Sequence, residues 1–418
     1  MNDYKSFNLL NKIYFERTGG SENELKAANI ILEEIKSLNA SCYLEEFEVD
    51  GANIKNACVT FDDDYSIECV GVGMSGSTPI EGVTGEFIYI TSLEDAKIQD
   101  VKGKICLVHS KLVNYKLYEE LAKKKPNALI LCCGNVYDDF DKVDLDPYMY
   151  RPRHYEKGKI PAVCIRMKDA EKLLRKKPKT CKVIMVEDEL KNISHNVIAE
   201  IPGSTYPDEI IAITAHYDSV SYSKGAYDNG TGSTAIMQIL SHFVKNKPLR
   251  TLKFIWCGSE EMGLLGSKAY TQAHKDDLDK YKLCVNIDMI GVTIGNDIAC
   301  VTANNSLVSY LKYIGNMSGF PISVKQGVYS SDSTPFADSG VPALSFARLS
   351  PQGGAKIHSH DDVIDYLEED NYYKTCDFII KFVSNMDGSV LFPVEKEIPD
   401  NMKEEIDIYM GRKERNKN

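Results

Sequence analysis

From Asn196 onward the chain alternates strand-like apolar runs with helix-like stretches, and this alternation restricts the fold more than any other feature. EIIAITAH, TLKFIWCG, YKLCVNID and VPALSFA read as strands. STAIMQILSHFVKN, MGLLGSKAYTQAHK and SLVSYLKYIGNM, which separate them, carry apolar residues at helical spacing. Strands that alternate with helices imply a mostly parallel sheet covered on both faces. The predicted class is α/β, a mostly parallel mixed sheet sandwiched by helices.

Five short segments place metal-type ligands along this pattern: TAHYDS, DNGTG, GSEEMG, NIDMIG and IHSHDD. They supply His216, Asp228, Glu260 with Glu261, Asp288, and either His358 or His360. His216, Glu260 and Asp288 each fall just past the carboxyl end of a predicted strand, the rim where open α/β sheets bind ligands. Solvated surface charges have no reason to collect there. Two imidazoles and several carboxylates, without thiolate, suit a pair of divalent cations, with zinc first and cobalt or manganese as alternatives.

Each residue has a chemical use and a plainer one. In His216-x-Asp218 the carboxylate orients an imidazole that binds metal through its other nitrogen. Asp228 opens Asp-Asn-Gly, which suits an ordinary turn; its carboxylate can also give one oxygen to each of two cations, with the glycines allowing close approach. Glu260 and Glu261 repel one another unless a positive charge lies nearby. The predicted division is Glu261 as ligand and Glu260 as general base, taking a proton from the attacking water. Asp288 ends an apolar run and either binds metal or caps a turn. His242 and His274, beside lysines in helical stretches, read as surface residues.

The rest of the 418-residue chain is organised around this core. SENELKAANIILEEIKSLNA reads as a helix opened by a Ser21/Glu24 capping box, followed by a strand. Residues 61–185 change texture to short β-rich pieces with one helix-like stretch, YKLYEELAKKK, and read as an inserted domain between an N-terminal part (1–60) and the main core (186–400). Residues 401–418 read as a charged tail. A net charge of -12 argues against nucleic acid or an anionic membrane as partner. The start has no secretory pattern and no run reaches spanning length. Twelve scattered cysteines without a C-x-x-C pair suggest reduced thiols and a cytoplasmic protein.

With these residues in place, the sequence resembles the co-catalytic zinc aminopeptidases, family 28 of the metallopeptidases. RTGGSENELKAANIILEEIKSL resembles that family's first helix. GKICLV, ALILCCG and KIPAVCI resemble a protease-associated (PA) insert, and NVIAEIPGS with IIAITAHYDSV resembles the entry to the catalytic core. The resemblance implies a zinc-peptidase core with a β-rich PA-like insert. It implies that Asp228 bridges two zinc ions, one completed by His216 and Asp288, the other by Glu261 and His358. Glu260 would be the base, Asp218 would support His216, and the Asp228–Asn229 peptide would be cis. Tyr329 would contact substrate. Arg348, after the last strand, reads either as a substrate contact or as a surface salt bridge. SDSTPFADSGVPAL departs from the family pattern, with Ser333 where a histidine is common. The implied activity is removal of N-terminal residues from peptides with a free amino terminus. A carboxypeptidase or dipeptidase on the same core, or a non-catalytic receptor-like protein, are the alternatives.

Overall fold

The computed structural model describes residues 4–62, 65–110, 113–139, 145 and 148–413. The chain forms two compact units. The first comprises Met1–Val49 with Ile193–Asn418, and the second Asp50–Asn192.

The first unit opens with helices α1 (Phe7–Ile13) and α2 (Glu22–Ser37), followed by strand β1 (Ser41–Phe61). At the start of α2, Ser21 is extended and its hydroxyl accepts the N–H of Glu24 at 3.1 Å, the expected N-cap. The reciprocal half of the predicted capping box does not form. The Glu24 carboxylate instead accepts the N–H of Gly20 at 2.7 Å and that of Ser259 at 2.8 Å. Tertiary partners offer that buried carboxylate more donors than Ser21 can.

The second unit contains β2 (Tyr65–Ile67), β3 (Val70–Gly71), β4 (Val83–Ile90), α3 (Leu93–Ile98), β5 (Ile105–Val108), α4 (Tyr115–Lys124), β6 (Ala128–Cys133), α5 (Pro152–Tyr155), β7 (Ala162–Arg166), α6 (Met167–Lys176) and the first part of β8 (Thr180–Ile201). β4, β5, β6 and β7 pair parallel in that order. The β-rich insert expected from the sequence is therefore corrected to an α/β unit, with helices α3 to α6 among its described residues. β5 and β6 are buried along their whole length, as parallel strands covered on both faces must be. Cys133 joins one core with Cys106 and Leu129, and Cys132 the other with Ile105 and Ile130, the opposite faces that strand alternation requires. This unit spans more than the predicted 61–185. The long strands β1 and β8 run across its limits, so no change of composition marks them.

The first unit resumes with β9 (Tyr206–His216), α7 (Thr231–Lys245), β10 (Arg250–Cys257), α8 (Leu265–Ala273), β11 (Tyr281–Ile287), β12 (Asn296–Thr302), α9 (Asn305–Ser318), β13 (Ile322–Gln326), α10 (Ser333–Asp338), β14 (Ala343–Leu349), α11 (Glu369–Asp387) and α12 (Asp400–Tyr409). Its strands lie in the order β13-β12-β14-β11-β9-β10-β8. β10, β9, β11 and β14 are mutually parallel. Along β9, Ile211, Ile213 and Ala215 pack into one core with α2, α7 and α11, while Ile210 and Ala212 pack into the other with α8, α10 and α12. The expected mostly parallel sheet with helices on both faces is present. Met402 and Ile406 of α12 are buried, so that segment is not a peripheral tail; the basic end beyond residue 413 lies outside the described residues. Among the described residues, no helix is long and apolar enough to cross a membrane.

Candidate metal centre

Parallel pairing brings three carboxyl ends to one rim. β9 ends on His216, which pairs in register with Cys257, the last residue of β10. Glu260 and Glu261 follow in the next turn. β11 ends on Ile287, and Asp288 is the residue after it. The chain leaves β9 toward β10 and later returns on the other side of β9 as β11, so this rim is a topological switch point. Asp228 sits in the turn Ala226–Gly230 that opens α7.

The side chains converge. His216 Nε2 lies 3.2 Å from Asp228 Oδ1 and 3.6 Å from Asp288 Oδ1. His358 Nε2 lies 3.0 Å from the other Asp228 oxygen and 3.1 Å from Glu261 Oε1. Two groups therefore have the reach to hold a cation, His216/Asp228/Asp288 and Asp228/Glu261/His358, and Asp228 belongs to both. Donors about 2.0–2.1 Å from a tetrahedral zinc stand roughly 3.3 Å apart, close to these spacings. Asp288 Oδ1 is buried with no hydrogen-bond partner, as a coordinating oxygen would be. Protonated histidines alone would not balance the cluster. Asp218, Asp228, Glu260, Glu261 and Asp288 outnumber the two imidazoles and the nearby cation of Arg17, and surplus buried charge is strongly unfavourable.

Backbone contacts fix the carboxylates that face the cluster. Asp218 accepts the N–H of Glu260 at 3.0 Å and of Glu261 at 3.1 Å, with one oxygen for each. Its first oxygen is also 3.4 Å from His216 Nδ1. Asp362 accepts the N–H of Tyr227 at 2.7 Å and of Asp228 at 3.1 Å. Asn229 accepts from Gly232 at 2.9 Å and from Met289 at 3.0 Å, and donates to Ile287 O at 2.9 Å, tying the Asp228 turn to the end of β11. The Asp228–Asn229 peptide is cis.

Like charges packed out of water resist ionising. Burial, then repulsion by Glu261, Asp332 and Asp288, pushes Glu260 well above the ordinary carboxylate range. Burial also raises Glu261 and Asp288. Burial acts on Asp228 too, but His216 and His358 overcome it and hold that carboxyl below its usual value. Loss of hydration opposes charge on His358, yet Asp228 and Glu261 raise it to about 11.

Residues 196–383 match the model of Peptidase family M28. That segment of the first unit resembles this family. Proteins similar to this chain include Carboxypeptidase Q of Bos taurus, 26% identical over 397 residues, with 87% of this chain and 81% of the relative covered. Aminopeptidase YwaD of Bacillus subtilis (strain 168) is 28% identical over 394 residues, with 90% and 82% covered. Among solved structures, the Peptidase M28 precursor from Shewanella amazonensis SB2B superposes with a TM-score of 0.77 at 22% identity over 94% of this chain and 95% of that one. BSAP, a zinc aminopeptidase from Bacillus subtilis, gives 0.74 at 22% identity over 91% and 93%. At that identity the two structures establish the shared fold.

The structure places the other expected site residues differently. His358, at φ 54°, enters the cluster, whereas His360 lies 3.2 Å from Asp361. The Tyr329 hydroxyl is raised by burial and then by Asp288 and Asp228. Of the two readings for Arg348, the salt bridge is present: its guanidinium bonds Asp297 at 2.6 Å and Val292 O at 2.7 Å. Ser333 lies in a buried hydroxyl triangle, 2.8 Å from Ser345 and 3.0 Å from Ser331.

Four buried residues carry weight that their local sequence did not suggest: Arg17, Glu24, Asp332 and Asp362. Glu24 is pushed up to about 8 by burial and then by Asp218. Asp332 is pushed up to about 7, chiefly by burial. Asp362 was visible as the end of IHSHDD, but nothing local marks it as the acceptor for a turn 134 residues upstream.

Proposed function

We propose that this chain is a metallo-exopeptidase, and specifically a two-zinc aminopeptidase that removes N-terminal residues from peptides. The observation that carries this reading is the position of Asp228, with one carboxylate oxygen toward His216 and the other toward His358. His216, Asp228 and Asp288 would hold one zinc ion, and Asp228, Glu261 and His358 the other. Bound there, the metals would supply Lewis acidity and a water of lowered pKa. Glu260 takes the water proton and returns it to the leaving amine. Asp218 fixes the backbone of both glutamates, so that base and ligand keep their separate positions. Tyr329, in the field of Asp288 and Asp228, is the side chain proposed to meet the substrate carbonyl.

Carboxypeptidase action is the second reading, favoured by the relatives named Carboxypeptidase Q. A terminal carboxylate needs a cation to receive it. Arg348 is engaged by Asp297, and Arg17 is buried and donates to main-chain carbonyls. Arg151 and Arg153 belong to the second unit, where Arg153 lies 4.1 Å over the Tyr115 ring. The acidic surroundings suit a free ammonium better. The deciding experiment compares one peptide with its amino terminus free, its amino terminus acetylated, and its carboxyl terminus amidated. Aminopeptidase action requires loss on acetylation and retention on amidation. The opposite pattern overturns it in favour of the carboxypeptidase.

A further inference from the structure

Arg17 is fully buried, yet among the described residues it has no hydrogen-bonded carboxylate partner. Nε donates to Tyr217 O. Nη1 donates to Lys224 O and, at 3.1 Å each, to Ile13 O and Phe15 O. Nη2 donates to Gly225 O at 2.8 Å. A guanidinium removed from water and answered only by carbonyls is an expensive choice for mere packing. The carbonyls it selects explain that choice. Tyr217 follows His216 directly, and Gly225 lies three residues before Asp228. One rigid planar fork thus grips both ends of the loop joining two residues of the metal cluster.

The same loop holds the Arg17 main chain in turn. The hydroxyl of Ser219 accepts the Arg17 main-chain N–H at 3.1 Å, and the Ser219 N–H returns to Arg17 O at 3.2 Å. Gly225 has φ 52°, and a Cβ there would stand 2.7 Å from Asp228 O and 2.9 Å from Arg17 Nη2. The loop therefore closes tightly on the fork. Asp218, Asp362, Asp228 and Glu261 all act on the cation from beyond hydrogen-bond range.

We propose that Arg17 is a positioning residue for the metal pair: it sets the separation of His216 and Asp228 by bracing the Tyr217 and Lys224–Gly225 carbonyls. This inference rests on the two-zinc reading above. Lysine keeps the charge but presents a single point of donors, so it cannot reach both ends of the loop. The test is zinc titration and the cobalt d–d spectrum of metal-stripped protein, run where circular dichroism shows the native fold. Folded Arg17→Lys should bind zinc about tenfold or more weakly, with an altered cobalt spectrum. A folded variant with wild-type affinity and spectrum overturns the proposal. If Arg17→Lys does not fold, Ser219→Ala decides: about threefold weaker zinc binding supports the brace, and unchanged binding overturns it. Wild-type protein that takes up no zinc would instead sink the metal reading itself.

Discussion

The Asp218 carboxylate accepts the N–H of Glu261 at 3.1 Å with one oxygen, and its other oxygen takes the N–H of the preceding residue. A side chain two residues past His216 therefore fixes the turn that delivers the proposed base and one proposed ligand. Asp218→Asn keeps the shape but offers an NH2 group to one of those donors. Activity is expected to fall about 10- to 100-fold, with zinc binding weakened alongside it. Parallel kcat and zinc-affinity measurements check this, and full activity in the variant would refute the role.

Glu260 and Asp228 should separate chemistry from metal binding. Glu260→Gln is expected to retain two zinc ions by elemental analysis while kcat drops about 100- to 10,000-fold. Loss of metal in step with activity would mean that the two glutamates have exchanged roles.

Asp228→Asn should weaken both metal positions together, by about tenfold or more, because its two oxygens face different histidines. A titration in which only one of two zinc-binding steps changes would contradict the shared position.

Arg348→Met should act on stability rather than catalysis. It leaves Asp297, 6% exposed, without its 2.6 Å partner. Breaking such a pair costs about 3 kcal/mol, while kcat/KM should stay within about twofold. Urea unfolding and steady-state kinetics on the same preparation test both halves.

Metal-stripped protein should lose stability as pH rises. Glu24 stands at about 8 against an ordinary 4.5, and Asp332 and Asp362 at about 7 against 3.8. Between roughly pH 4 and 8 the folded chain holds protons that the unfolded chain has released, so each group removes up to about 1.4 kcal/mol per pH unit through its window. His358, raised to about 11 from 6.5, acts with the same sign above pH 6.5. Asp228 has the opposite sign, but its window lies below 3.8. Calorimetry from pH 5 to 8 should give a falling Tm, flatter with zinc. A rising Tm without metal would show that these carboxyls ionise freely.

The sequence by itself determined the architecture of the first unit, because strand and helix periods report which residues face the core, and that information is local. It also marked the residues that stand at strand ends, since an ionisable group after an apolar run is visible without knowing its neighbours. It misjudged the second unit, where short helices such as Leu93–Ile98 carry too few turns to declare a period. Only the tertiary structure brought His358 to Glu261, joined Arg348 to Asp297, and turned Glu24 from a cap into an acceptor for Ser259. Each of these is a choice among partners far apart along the chain. Such choices depend on which donors folding brings within about 3 Å, a property of packing that no local pattern encodes.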